Sequence, residues 1–142
     1  MTFPANSLNE ALSRNVVASL SLSLNPTVEW LNDVKTAVSE AVTNCIVHAY
    51  SEDKTGEIEL VAFVTDDELG VTIKDFGIGI SDVEKAKEPF YTTKGEFERS
   101  GMGFTVMQSF MDVIFVNNQS GGGTVVTMQK NFTKDKQKVS GD

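Results

Sequence analysis

Between Thr27 and Tyr50 the chain repeats apolar residues at helical spacing. Leu31, Val34, Val38, Ala41, Val42, Cys45, Ile46 and Ala49 fall on one side of a 3.6-residue wheel. Thr27 follows the breaker Asn25-Pro26 and is a good N-cap, so a helix is predicted from there to His48 or Tyr50. Upstream, Thr2 to Asn6 reads as a short strand. Ser7 to about Leu24 reads as a helix with a less regular apolar set, Leu8, Leu12, Val16, Ala18, Leu20 and Leu22. After the SEDKTG loop the period changes from helical to extended. Ile58, Leu60, Ala62 and Val64 alternate with their neighbours, Asp66 to Gly70 makes a turn, and Val71 to Asp75 alternates again, which predicts an antiparallel hairpin. Gly77 to Ser100 is a long mixed segment with Pro89 and many charges, of the kind that is functional or mobile in a compact domain. Helical spacing returns over Gly101 to Asp112. Two strands follow, near Val113 to Asn118 and Thr124 to Phe132, joined by a Ser-Gly-Gly-Gly turn.

Helices followed by strands, without regular βαβ alternation, predict an α+β fold: a two-layer α/β sandwich with helices packed on one face of a mixed β-sheet. A chain of 142 residues suits one domain, taken as residues 1–132, with a polar, frayed tail over 133–142. The formal charge of -8 changes the picture more than the composition does. Binding to nucleic acid rests on neutralising phosphates with Lys and Arg, so no direct nucleic-acid partner is expected, and an anionic nucleotide would come with a divalent cation. No run approaches the roughly 18 apolar residues of a membrane span, and no export segment is visible, so a cytoplasmic protein without a membrane partner is expected. Cys45 is the lone cysteine and lies on the apolar face, where it reads as packing rather than as part of a disulfide or zinc framework.

Three polar groups interrupt the long helix at a strict spacing of four: Glu40, Asn44 and His48. A step of four drifts by only about 40°, so they form one narrow ridge away from the packing seam. A second cluster is DFGIGI, Asp75 to Ile80, whose glycines allow a sharp turn or a close approach to a ligand where the strand releases the chain. Asp-Phe-Gly is also a protein-kinase tripeptide, but the H-R-D, A-P-E and V-A-I-K partners of that family are missing. A third cluster, SGMGF from Ser100 to Phe104, puts glycines at a helix start, where unpaired N–H groups and the dipole make a phosphate seat. No G-x-x-x-x-G-K-[ST] occurs, so a P-loop is excluded, and Gly121 to Gly123 reads as a hairpin turn.

In their order along the chain, E-x-x-x-N on a helix, D-x-G-x-G after a strand and G-x-G before a helix, these clusters resemble the three nucleotide-binding boxes of the Bergerat-fold ATPases, the superfamily of gyrase and the histidine kinases. PFYTTK, Pro89 to Lys94, is similar to the lid of the histidine-kinase branch. Within that superfamily SEAVTNCIVHAY, KDFGIGI, PFYTTKGEFERSGMGFTVMQSFMD and GGGTVV resemble the small bacterial anti-sigma serine kinases of the sporulation type. Departures are Ala49, where a glycine often follows the histidine, and Phe76, where an acidic residue is frequent.

The resemblance implies ATP and Mg²⁺ as cofactors, with Asn44 as the metal ligand and Asp75 accepting a hydrogen bond from the adenine amino group. It further implies that Gly77 and Gly79 thin the wall beneath the base, that Thr124 supports the same contact through a water, and that Gly101 and Gly103 meet phosphate. Thr93 and Lys94 add lid contacts. Glu40, one turn before Asn44, is placed as general base for an attacking hydroxyl, and Arg99 is the candidate mobile cation for transfer. His48 has no assigned role. The implied partners are a sigma factor of the sigma F type, held inactive by a homodimer of this chain, and an anti-anti-sigma protein phosphorylated on serine; Arg14 matches a partner-contact position. Alternatives are a general-stress anti-sigma B type kinase, a histidine-kinase-like ATPase domain, and a module that uses ATP only to set its shape.

Overall fold

The structure is a computed structural model and describes residues 1–49, 56–77, 104–119 and 122–132. In chain order its elements are β1 (Thr2–Pro4), α1 (Ser7–Ser21), a 3₁₀ turn (Leu22–Leu24), α2 (Val28–Asn44) running on into a π-helical turn (Cys45–Ala49), β2 (Glu57–Val64), β3 (Glu68–Asp75), α3 (Phe104–Phe110), β4 (Val113–Asn118) and β5 (Thr124–Asn131). The five strands form one sheet in the order β1-β2-β3-β5-β4. Every pairing in it is antiparallel, which narrows the mixed sheet expected from the sequence. The reason lies in the connection through α3. It returns β4 parallel to β3, but β5 slots between them and pairs with both, so no parallel ladder forms.

Helix α2 starts where its cap chemistry dictates. Pro26 precedes it, and the Thr27 hydroxyl accepts the Trp30 N–H at 3.1 Å. Its apolar stripe then meets the sheet: Val34, Val38, Ala41 and Val42 are buried against a core that includes Ile58, Leu60, Val71, Ile73, Val126 and Met128. Each fully buried aliphatic side chain stabilises the fold by about 1.5–3 kcal/mol relative to exposure. Trp30 fastens the start of α2 to the end of β5, donating to the Asn131 carbonyl at 3.0 Å and meeting Phe132 edge to face at 5.8 Å. The far end of α2 is thereby directed along the sheet toward the end of β3.

Helix α1 departs from its expected pattern. Leu8, Leu12, Val16, Leu20 and Leu22 are 83%, 49%, 39%, 40% and 60% exposed; Ala18 is buried as expected, but its buried companions are Ser13, Val17 and Ser21. Small residues carry the packing face, and the Ser13 and Ser21 hydroxyls donate to the carbonyls of Glu10 and Val17 at 2.7 and 2.8 Å, so no polar group is left stranded. The β2–β3 turn is also tighter than expected. Thr65 N–H bonds the Glu68 carbonyl at 2.9 Å, which returns Glu68, Leu69 and Gly70 to the ladder. The expected helix over 101–112 is described as Phe104–Phe110; its first three residues lie outside the described residues. It stops where the Asp112 N–H turns to the Gln129 carbonyl at 2.9 Å and the Asp112 carboxylate takes the Asn131 N–H at 2.6 Å. The tail over 133–142 also lies outside the described residues. Among the described residues no helix is long and apolar enough to cross a membrane.

Candidate functional site

Asp75 closes β3, and the structure surrounds its carboxylate with donors from three separate parts of the chain. Oδ1 accepts the Gly77 N–H at 3.1 Å and the Thr124 N–H at 3.2 Å. Oδ2 lies 3.6 Å from Cys45 Sγ, whose thiol donates to it. The residue is only 5% exposed. Burial raises its proton affinity above the ordinary carboxylate value, and the bonds from Gly77, Thr124 and Cys45 pull the other way, favouring the ionised form. Burial, with the Asp75 charge beside it, pushes the Cys45 thiol far up, so it stays protonated and acts as a donor.

The main chain of Asp75 is held as firmly as its side chain. Gln119 Nε2 donates to the Asp75 carbonyl at 2.7 Å. Gly123 packs against the same carbonyl so closely that a Cβ there would stand 2.0 Å from the oxygen, and its φ of +101° is one that side-chain-bearing residues rarely adopt. The turn joining β4 to β5, closed by Gln119 N–H on the Gly123 carbonyl at 2.8 Å, thus doubles as a brace for the end of β3.

The Cys45 contact sets the end of α2 against the end of β3. Asn44 is half-buried and precedes Cys45, where α2 gives way to the π-helical turn; such turns recur at functional sites. Glu40 stands one turn earlier, about 6 Å along the axis. It opens onto a groove of about 440 Å³ between α1 and α2, lined also by Arg14, Asn15, Asn32, Lys35, Thr36 and Ser39. One wall of that groove is a small network: Glu10 Oε1 accepts from Arg14 Nη1 at 3.1 Å and from the Ser39 hydroxyl, and Arg14 Nη1 also reaches Ser39 Oγ at 3.5 Å.

Of the sequence-predicted residues, Arg14, Glu40, Asn44, Asp75, Gly77 and Thr124 are described. Arg14 and Glu40 share the groove; Gly77 and Thr124 meet at Asp75. Thr124 does so through its backbone N–H, directly. Gly79, Thr93, Lys94, Arg99, Gly101 and Gly103 lie outside the described residues. Sequence reasoning passed over Cys45, read as packing, over Gly123, read as turn, and over Gln119, which it did not single out. Their roles depend on contacts across 30 and 44 positions for Cys45 and Gln119, which no local pattern carries.

Comparison with known proteins shows the family. The family model of the histidine kinase-like ATPase domain matches residues 3–130. The anti-sigma F factor of Caldanaerobacter subterraneus subsp. tengcongensis is 52% identical over 130 residues, covering 92% of this chain and 90% of that protein. The anti-sigma F factor of Clostridium acetobutylicum is 52% identical over 132 residues, covering 93% and 92%. Among solved structures, the catalytic domain of histidine kinase ThkA superposes with a TM-score of 0.59 at 16% identity, over 96% of this chain and 99% of that one. The histidine kinase domain of the Erythrobacter litoralis blue-light activated kinase gives 0.58 at 21% identity, over 92% of this chain and 63% of that one. At such identities the structures speak to the fold alone.

Proposed function

Because the chain belongs to the histidine kinase-like ATPase family, together with the anti-sigma F factors, we infer that it is an anti-sigma factor that uses Mg·ATP to phosphorylate a serine on an anti-anti-sigma partner. The family is an ATP-using one; the serine acceptor, the metal and the partners are the finer reading. The observation that carries it is the meeting of α2 and β3: the Cys45 to Asp75 contact brings the helix bearing Glu40 and Asn44 onto the strand end that bears the buried carboxylate.

In this reading Asp75 is the base-recognising group. Its Oδ1 is occupied by two backbone donors, and Oδ2 keeps a lone pair for the 6-amino group of adenine. Asn44 offers a neutral amide oxygen at the end of α2, a donor that suits Mg²⁺ held mainly by a triphosphate. Bound there, the cation would neutralise charge on the phosphates. Glu40 accepts the proton of the attacking serine hydroxyl, which enters by the groove between α1 and α2. Arg14 and Lys35 line that groove and lend it positive charge beside Glu40. Arg14 is 40% exposed and meets the protein partner. The phosphate seat and lid, Gly79, Thr93, Lys94, Arg99, Gly101 and Gly103, are assigned on the resemblance. The partners are a sigma factor of the sigma F type, bound by a homodimer, and the phosphorylated anti-anti-sigma protein.

Mass spectrometry of this protein with Mg·ATP and candidate regulators from the same genome tests the reading. Phosphoserine on a partner is expected. Phosphohistidine would favour the histidine-kinase-like alternative, and nucleotide binding without transfer would reduce the chain to an ATP-set binding module.

A further inference from the structure

We propose that Cys45 is a positioning residue for base recognition: its thiol donates to Asp75 Oδ2 and sets the rotation of the carboxylate that meets the purine 6-amino group. The inference rests on the adenine role assigned to Asp75 above. Two backbone N–H groups, from Gly77 and Thr124, fasten Oδ1 at 3.1 and 3.2 Å, but both act on one oxygen and leave the carboxylate able to pivot about it. Cys45 Sγ, 3.6 Å from Oδ2, is the second point that fixes the plane. One lone pair of Oδ2 is thereby engaged and the other is left for a ligand donor.

The position suits a thiol. Cys45 is 3% exposed and belongs to the apolar cluster under α2, so the side chain there must fill hydrophobic space while presenting one donor upward. A thiol does both at low desolvation cost. Its backbone is fixed too, because the Cys45 N–H is shared between the carbonyls of Ala41 and Val42 at the start of the π-helical turn. The next residue toward the N-terminus is Asn44, so the same short segment that carries the proposed metal ligand also orients the base acceptor.

The test compares two nucleotides on the full chain: ATP, and purine riboside triphosphate, which lacks the 6-amino group. The readout is the ratio of their dissociation constants. Cys45→Val keeps the site filled with a slightly larger apolar group and removes the donor; it should lower the preference for ATP about threefold to tenfold and leave affinity for the amino-less nucleotide unchanged. Cys45→Ser, which restores a donor, should return the ratio toward the wild-type value. A wild-type ratio in Cys45→Val, an equal loss of both nucleotides, or a serine variant no better than valine would each overturn the proposal. Should Cys45→Val not fold, Cys45→Ala serves in its place with the same expected ratio. Asp75→Asn separates the two layers. If it too keeps the wild-type ratio, the adenine reading itself falls; if its ratio collapses while that of Cys45→Val does not, only the role of the thiol falls.

Discussion

Asp75, at the end of β3, and Glu40, on helix α2, are both carboxylates, yet they are set in opposite surroundings. Asp75 is almost wholly buried, with donors from the residues after β3, from the start of β5 and from the π-helical turn after α2 converging on its two oxygens, and a glycine and a glutamine holding its carbonyl. Glu40 is half-buried and looks into a polar groove bounded by two helices. The contrast fits the proposed roles: a group that recognises a small ligand gains from being fixed in advance, and one proposed to take a proton from another protein has to stay reachable.

The contrast can be broken at either end. The largest effect is expected for Glu40→Gln, which should lower phosphate transfer about 10²–10⁴-fold while leaving Mg·ATP affinity within about twofold. Single-turnover assays beside equilibrium titration read both, and unimpaired transfer would remove the proton-accepting role. Next comes the brace at the other end. Gly123→Ala puts a Cβ 2.0 Å from the Asp75 carbonyl at a φ of +101°, so a loss of roughly 2–4 kcal/mol in urea unfolding is expected, with weakened ATP binding.

Asp75→Asn should weaken ATP binding about 10- to 100-fold. Without nucleotide its stability should match or exceed the wild type. Burial raises the proton affinity of Asp75 from the ordinary 3.8, so the folded chain holds that proton better than the unfolded one. The cost of the buried charge is therefore absent at acidic pH and grows as pH rises through the window above 3.8. Melting curves across that window should show the wild type losing ground to Asp75→Asn as pH increases; parallel curves would mean the bonds to the carboxylate cancel the burial. The smallest effect belongs to Glu10→Gln in the groove wall, where a partly exposed ion pair to Arg14 is worth about 0–1 kcal/mol. A markedly larger loss of stability would show that the groove is a structural seam, which would erase the difference between the two carboxylates.

The sequence made the buried half of this arrangement easy to read where periodicity governs and hard where it does not. Helix α2 has one apolar stripe, buried where the spacing puts it, and Glu40 and Asn44 lie half-buried outside it. Asp75 announces itself as the acidic end of an alternating strand followed by glycine. On α1 the same reasoning picks Leu8, Leu12, Val16 and Leu20, which the fold leaves exposed, because small side chains with internally bonded hydroxyls allow a closer approach than leucines do. Hydrophobicity scales register Ser13 and Ser21 as polar and miss that. Cys45, Gln119 and Gly123 are illegible for a different reason: each acts on Asp75 from a distant place in the chain, Cys45 from the turn that ends α2 and the other two from the β4–β5 turn.

The insertion of β5 beside β3 also bears on how the protein comes into being. Strand β5, which lies between β3 and β4, is the last of the five in sequence, so β3 lacks one of its two neighbours, and Asp75 its Thr124 donor, until synthesis has passed residue 131. Long-range pairing of this kind is slow to nucleate, and a nascent chain stalled before β5 exposes a bare apolar edge. The carboxylate of Asp75 thus gains its full set of donors only once β5 has paired, in a single late step.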